Sequence, residues 1–181
     1  MSYGMPSDRH PGTYHKIKVE TTRPDLQISY RKGYYIGKEE LNVQSSKKED
    51  ILSAMYAPGD ISEIPVLLSY TYLKEADGSY SASFITKADV KKMQFTKEED
   101  RRKNLVHVVL AAFDGNDHYV NGLEKAIEFQ LLDDSFSALL NRGISSKVDL
   151  KLPPGHYKIK TVVREGNQGK MGSIARAVDI P

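Results

Sequence analysis

Val148-Asp149-Leu150-Lys151-Leu152-Pro153-Pro154-Gly155-His156-Tyr157-Lys158-Ile159-Lys160-Thr161-Val162-Val163 is the stretch that decides the fold. Val148, Leu150 and Leu152 fall on one side of an extended chain, against Lys147, Asp149 and Lys151 on the other. Tyr157, Ile159, Thr161 and Val163 alternate in the same way with Lys158 and Lys160. A period of two is the signature of a half-buried strand. Pro153-Pro154-Gly155 is a turn between the two runs, and it enters the second run through a tyrosine. In immunoglobulin-like and fibronectin-type sandwiches, a tyrosine at this corner bonds back to the upstream backbone. Pro154, Gly155 and Tyr157 are therefore expected to be structural residues. Simple core filling is the alternative role for Tyr157.

Working outward, the same texture recurs. Val66, Leu68, Tyr70 and Tyr72 alternate, and Asp77-Gly78 is a turn signal between the segments 68–74 and 80–90, which predicts a hairpin. The segment 105–113 is nearly all apolar and rich in Val, as a central strand buried on both faces should be. The segment 114–122 carries Asp, Asn and Gly and predicts a loop. Strands are expected again over 126–132 and 173–180, with a turn over 165–169. These short strands have no long helix between them, which argues against parallel βαβ units. The predicted fold is mainly β: an antiparallel immunoglobulin/fibronectin-III-like β-sandwich, preceded by a β-hairpin and one short helix. Three zones are expected: 1–37 as a strand remnant and hairpin, 38–63 as a linker with a short helix, and 64–181 as the sandwich.

The hairpin expectation rests on alternation over 14–20 and 26–31, joined by Arg23-Pro24-Asp25. The helix expectation rests on Ser46-Lys47-Lys48-Glu49, which fits the Ser-x-x-Glu capping box. Ile51, Leu52 and Met55 follow at helical spacing, and Pro58-Gly59 closes the segment. The narrow apolar stripe predicts packing on a neighbour.

Composition excludes several classes. The chain has 181 residues, with 26 Lys and Arg against 24 Asp and Glu, a formal charge of +2. That near balance gives no electrostatic footprint for nucleic acid. The absence of Cys removes disulfides, thiolate metal sites and cysteine nucleophiles. No apolar run approaches the roughly 20 residues of a membrane-spanning helix. The N-terminal residues have neither the basic flank nor the apolar core of a signal peptide.

The remaining motifs carry little chemistry. Asp133, Ser135 and Ser137 spell Asp-x-Ser-x-Ser, a set of hard oxygen donors suited to Mg²⁺. The pattern is common in loops, and it is retained as a weak metal candidate only. Asp114-Gly115-Asn116-Asp117 reads as a hairpin turn rather than a Ca²⁺ loop. His10, His15, His107, His118 and His156 do not pair at metal-ligand spacing, and His107 reads as a core or edge residue. Glu98-Glu99-Asp100 beside Arg101-Arg102-Lys103 reads as a solvated loop of balanced charge. There is no Gly-x-Ser-x-Gly elbow and no Gly-rich phosphate loop. No catalytic or cofactor-binding residue is assigned, and no cofactor is expected. Tyr34-Tyr35 and the pair Tyr70/Tyr72 could line a binding face, but Tyr70 and Tyr72 are expected to act as core aromatics in a chain without Trp.

The string from Tyr14 to Tyr35, Tyr-His-Lys-Ile-Lys-Val-Glu-Thr-Thr-Arg-Pro-Asp-Leu-Gln-Ile-Ser-Tyr-Arg-Lys-Gly-Tyr-Tyr, resembles the segment that closes the A domain of bacterial "VWFA-related" proteins, well represented in Acidobacteria. The family follows this segment with a helix and a β-rich C-terminal region. That region carries a Leu-Pro-Pro-Gly-x-Tyr phrase, matched here by Leu152 to Tyr157, and a Gly-x-x-Gly-Ser turn, matched by Gly169 to Ser173. The resemblance implies that the A domain, with its metal motif, lies before Met1. The chain would then be the C-terminal part of a longer, extracytoplasmic protein. No metal residue of the family carries over onto a position of this chain, and the Asp133 motif lies in the wrong region to be its counterpart.

The expected function is a non-enzymatic interaction module for adhesion or surface protein–protein binding, its partner another protein or the upstream A domain. An accessory or catalytic domain of a carbohydrate-active or other hydrolase is the alternative. Residues 1–37 are expected to leave an apolar edge through Ile17, Val19, Leu26 and Ile28, able to pair two copies into a homodimer.

Overall fold

The computed structural model describes residues 14–16, 33–35, 46–77 and 80–181. The chain divides into two compact units, Met1–Glu40 and Leu41–Pro181. In the first, β1 (Tyr14–Lys16) pairs antiparallel with β2 (Gly33–Tyr35), Tyr14 opposite Tyr35. The turn expected at Arg23-Pro24-Asp25, and the apolar edge expected through Ile17, Val19, Leu26 and Ile28, lie outside the described residues.

The second unit begins with α1 (Ser46–Tyr56), followed by β3 (Val66–Lys74) and β4 (Tyr80–Ala88). A single turn of 3-10 helix over Val90–Lys92 leads to β5 (Thr96–Glu98) and the long β6 (Arg101–Phe113). Then come β7 (Tyr119–Leu131), α2 (Asp133–Arg142), β8 (Ile144–Leu152), β9 (Gly155–Glu165) and β10 (Met171–Ile180).

Two antiparallel sheets result. One has the order β3-β4-β8; the other has β10-β9-β6, with β5 and β7 both on β6. Because β7 pairs with β6 from Arg102 to Phe113, β5 must lie on the same flank as β9, above its end. The first, second and fifth long strands thus form one sheet, and the third, fourth, sixth and seventh form the other. This is the connectivity of an immunoglobulin/fibronectin-III-like sandwich.

Inward residues of both sheets make the core. Phe84 and Val148 from the small sheet meet Leu110, Ile159 and Val178 from the large one. Between the layers, the Thr86 and Thr161 hydroxyls lie 3.1 Å apart, both buried, and Thr161 also donates to the Val109 carbonyl. The other face of β6 is covered as well: Ile51, Ala54 and Met55 of α1 pack on Val109, Ala111, Phe113 and Val162. That cover explains why 105–113 reads as apolar on both sides. It also places α1, assigned from sequence to a linker zone, in the sandwich unit. The side chain of Ser46, and with it the expected capping box, lies outside the described residues.

Three sequence expectations need correction. First, among the described residues a second helix, α2, accompanies the sheets beside the expected one. Over 133–142 the pattern is short, but Phe136, Leu139 and Leu140 sit at i, i+3 and i+4 and pack on the cluster of Val90 and Phe95. Asp133 and Asp134 occupy the first turn, where carboxylates complement the helix dipole. Gly143, at φ 71°, ends the helix by donating its N–H to the Leu139 carbonyl at 2.8 Å. Second, β7 begins at Tyr119 and not near Ala126, because the loop closes within 114–118. Third, the charged run 98–103 is a tight hairpin rather than a loop. Glu98 stands opposite Arg101, and Glu99 takes the turn at φ 53°.

Candidate functional site

Tyr70 and Tyr72 are 40% and 46% exposed, against the expectation that both would be core aromatics. They do face inward from β3, Tyr70 stacked 6.1 Å from Phe84 and Tyr72 edge-on 6.0 Å from Tyr80. Their strand, however, is the outermost of its sheet, so one side of each ring stays in water. Leu67 and Leu73, on the outward face of the same strand, are 66% and 68% exposed. Over its nine residues β3 pairs with β4 without a register shift, Val66 opposite Ala88 and Lys74 opposite Tyr80.

The other three sheet edges differ. β8 alternates Lys147, Asp149 and Lys151 along its exposed positions. β7 carries Glu124, Lys125 and Glu128, and its ladder with β6 shifts register between Ala112 and Phe113. β10 carries Arg176 and Asp179 and is crossed at its start by residues 61–64. Charges, a bulge and a covering segment are the usual devices that stop a strand edge from pairing. β3 has one charge, at its last residue Lys74, and no Pro.

Of the Asp133, Ser135, Ser137 set, Asp133 and Ser137 are engaged with other groups of the chain. Asp133 sits in the first turn of α2, its two carboxylate oxygens held by Lys97 Nζ at 3.0 Å and Arg102 Nε at 2.9 Å. The hydrogen bonds from Arg102 and Lys97 hold its carboxyl below the usual range. Ser137 donates to the Asp133 main-chain carbonyl, as a serine one helical turn on does. Among the described residues no group of three or more His, Asp or Glu side chains converges as a metal site would require.

In the 114–118 turn, Asp114 accepts from the Asn116 and His118 N–H groups at 2.8 and 2.9 Å. Those bonds outweigh partial burial and draw its carboxyl down. Lys158 binds Asp117 next to it.

At the Pro153–Tyr157 corner, the Tyr157 hydroxyl donates to the Pro153 carbonyl at 2.8 Å. Burial, with Asp114 adding to it, pushes that hydroxyl up and keeps it a donor. Pro154 is exposed, and Gly155 lies against the Tyr157 ring with φ 156°.

Two polar groupings were not read from the sequence. Glu165, fully buried, accepts from the N–H groups of Asn167, Gln168 and Lys170 and from Asn104 Nδ2, so it stiffens the turn between β9 and β10. His107, also buried, places Nδ1 2.7 Å from Glu124 Oε1 and stands opposite Arg164, which reaches Asp50 on α1 at 3.2 Å. Beside this end of the sandwich an open cleft of about 400 Å³ is lined by Glu98, Lys103, Glu128 and Asn167 among others. Glu98 there is engaged by Lys103 at 2.6 Å.

Among the described residues, the fold and this edge define a β-sandwich in which β3 is the edge strand lacking those devices. No family model matches the chain, and no curated protein matches it. Several solved structures align with the chain at low identity. A Bacteroides fragilis protein assigned as a beta-galactosidase aligns at 15% identity and TM-score 0.41, over 62% of this chain and only 16% of that one. A structural-genomics target aligns at 11% identity and TM-score 0.43, over 67% of this chain and 89% of that one. A Bordetella pertussis protein assigned the name ApaA aligns at 10% identity and TM-score 0.37, over 65% and 94%. At these scores the likenesses say nothing about activity. Among the described residues, no helix is long and apolar enough to cross a membrane.

Proposed function

We propose that this chain is a non-enzymatic β-sandwich interaction module that binds protein partners by strand addition at β3. The observation that carries the reading is the edge itself: Leu67, Tyr70, Tyr72 and Leu73 exposed on an outermost strand whose only charge is terminal. Main-chain hydrogen bonds along such an edge supply affinity, and side chains at alternate positions supply selectivity. The resemblance to VWFA-related proteins supports an exported, extracytoplasmic setting, in which the module serves adhesion or surface protein–protein binding beside an A domain. The carboxylates drawn from their ordinary range, Asp114, Asp133 and Asp149, all move down, each held by donors that favour the ionised form. None is thereby poised as a general acid.

The reading is tested in cells that produce the full chain, with a photo-crosslinking residue at position 73. Ultraviolet-dependent adducts should form, and Leu67→Lys in the same chain should abolish them. Adducts unchanged by Leu67→Lys, or glycan or ester turnover by the purified chain, would overturn it.

A further inference from the structure

We infer that the occupant of the β3 edge is a second copy of this chain, paired antiparallel about a two-fold axis at Tyr70; the inference rests on the strand-addition reading above. A two-fold dimer requires a surface complementary to itself, and the β3 sequence meets that requirement in one register. With Tyr70 opposite its own mate, Leu67 lies opposite Leu73 of the other copy on the outward face, and Ser69 opposite Thr71. On the inward face Leu68 meets Tyr72. Both leucines left two-thirds exposed in one copy thus cover each other, and the hydroxyl residues pair with hydroxyl residues, a favourable cross-strand match.

Neighbouring registers fail on the same residues. A slip of one residue turns every side chain to the wrong face. The next register one way sets Leu67 against Thr71 and brings Pro65, which has no N–H, into the ladder. The next one the other way sets Leu67 against Glu75 and Lys74 against Leu68. In the Tyr70-centred register Lys74, the strand's only charge, lies opposite Val66, and no like charges oppose.

The area is also adequate. Covering the exposed parts of Leu67, Tyr70, Tyr72 and Leu73 and the strand edge on both copies removes on the order of 1,000 Å² from water, near the lower bound for specific interfaces. Interfaces at this lower bound belong to the weak, reversible class, so the dimer is sought at micromolar and higher concentrations. The two small sheets would merge into one of six strands, in the order β8-β4-β3-β3-β4-β8.

The absence of Cys makes the register directly readable. Directly opposed residues of an antiparallel pair have Cα atoms about 4.5–5.5 Å apart, within disulfide range. In the full chain, Tyr70→Cys should cross-link to itself under mild oxidation. Leu67→Cys alone should not, but mixed with Leu73→Cys it should give the heterodimer. Sedimentation of the wild-type chain should show a dimer at high micromolar concentration, and Leu67→Lys/Leu73→Lys should be monomeric with an unchanged circular dichroism spectrum. Both substituted side chains point to solvent, so the fold should survive.

A wild-type chain that stays monomeric throughout would overturn the inference, as would a dimer indifferent to the lysine pair, such as one formed through residues 1–37. Position-73 adducts to a different protein, with the purified chain monomeric, would remove self-pairing and leave strand addition standing. No adducts and no dimer would remove both.

Discussion

Tyr157 and Lys160 sit three residues apart on β9, project to opposite faces, and each closes a gap left by a neighbouring element. The tyrosine ring lies in the core while its hydroxyl binds the Pro153 carbonyl, which holds the turn between β8 and β9. Tyr157→Phe keeps the ring and removes the bond, and should cost about 1 kcal/mol, the usual net worth of one such bond. A urea midpoint shift with unchanged slope would measure it. Lys160, 2% exposed, reaches outward to the Ala57 and Gly59 carbonyls at 2.8 and 2.9 Å, just past the end of α1. The last turn of α1 has no cation of its own, so β9 supplies one to the negative end of the helix.

Burial pushes the Lys160 ammonium below its ordinary 10.5, with Asp60 opposing. Between the lowered value and 10.5 the unfolded chain holds more of this proton than the folded one. Stability from this group therefore rises with pH through that window and is lost as pH falls through the folded value. Lys160→Met should flatten that rise in denaturation series across the alkaline range. At neutral pH it should cost about 1–2 kcal/mol through the carbonyls it leaves without a donor.

At the scale of elements, Gly172 fixes how the chain passes from one sheet to the other. Residues 61–64 cross β10 before β3 joins β4: Ser62 bridges Gly172, the Ile64 N–H reaches Met171 and the Ser173 N–H reaches Ile61. A Cβ at Gly172 would stand 1.9 Å from the Ile64 carbonyl oxygen, main chain that cannot step aside. Gly172→Ala should therefore cost about 2–4 kcal/mol, at the upper end for single substitutions. Thermal unfolding is the check, and an unchanged midpoint would mean that the crossing is not held here.

This is also the scale at which the sequence was most and least legible. Alternation marked β3, β8 and β9, because strand period survives wherever one face is buried, and turn signals placed β4 and β10 beside them. The double-sided burial of 105–113 was visible as a Val-rich run. The helix over 133–142 was not, because ten residues with three half-buried apolar side chains and an Asp-Ser-Ser start look like a loop until Phe95 and Phe136 are seen 4.8 Å apart. The start of β7 was misplaced because Asn and Gly at 121–122 imitate a loop. Yet Gly122 sits inside the ladder opposite Ala111, where a Cβ would meet the Leu110 carbonyl at 2.6 Å.

At the scale of the whole sandwich, charges, a bulge or a crossing segment stand on three of its four edges among the described residues, and β3 carries none of these before its last residue, Lys74. Alternation along Val66, Leu68, Tyr70 and Tyr72 reports a buried face. It does not report whether a strand lies inside its sheet or at its rim, so the candidate surface was read as core. The same limit hid the His107–Glu124 pair and the Asn104–Glu165 bond, which depend on which strands become neighbours. The proposed binding role rests on the exposed side chains of this rim. Its most direct test is amide hydrogen exchange along β3 as a function of protein concentration. The account predicts that alternate amides of Val66–Lys74, those directed away from β4, gain protection as concentration rises, while the amides of β7 and β8 do not change. Exchange at those β3 amides that is independent of concentration and of any added partner would contradict it.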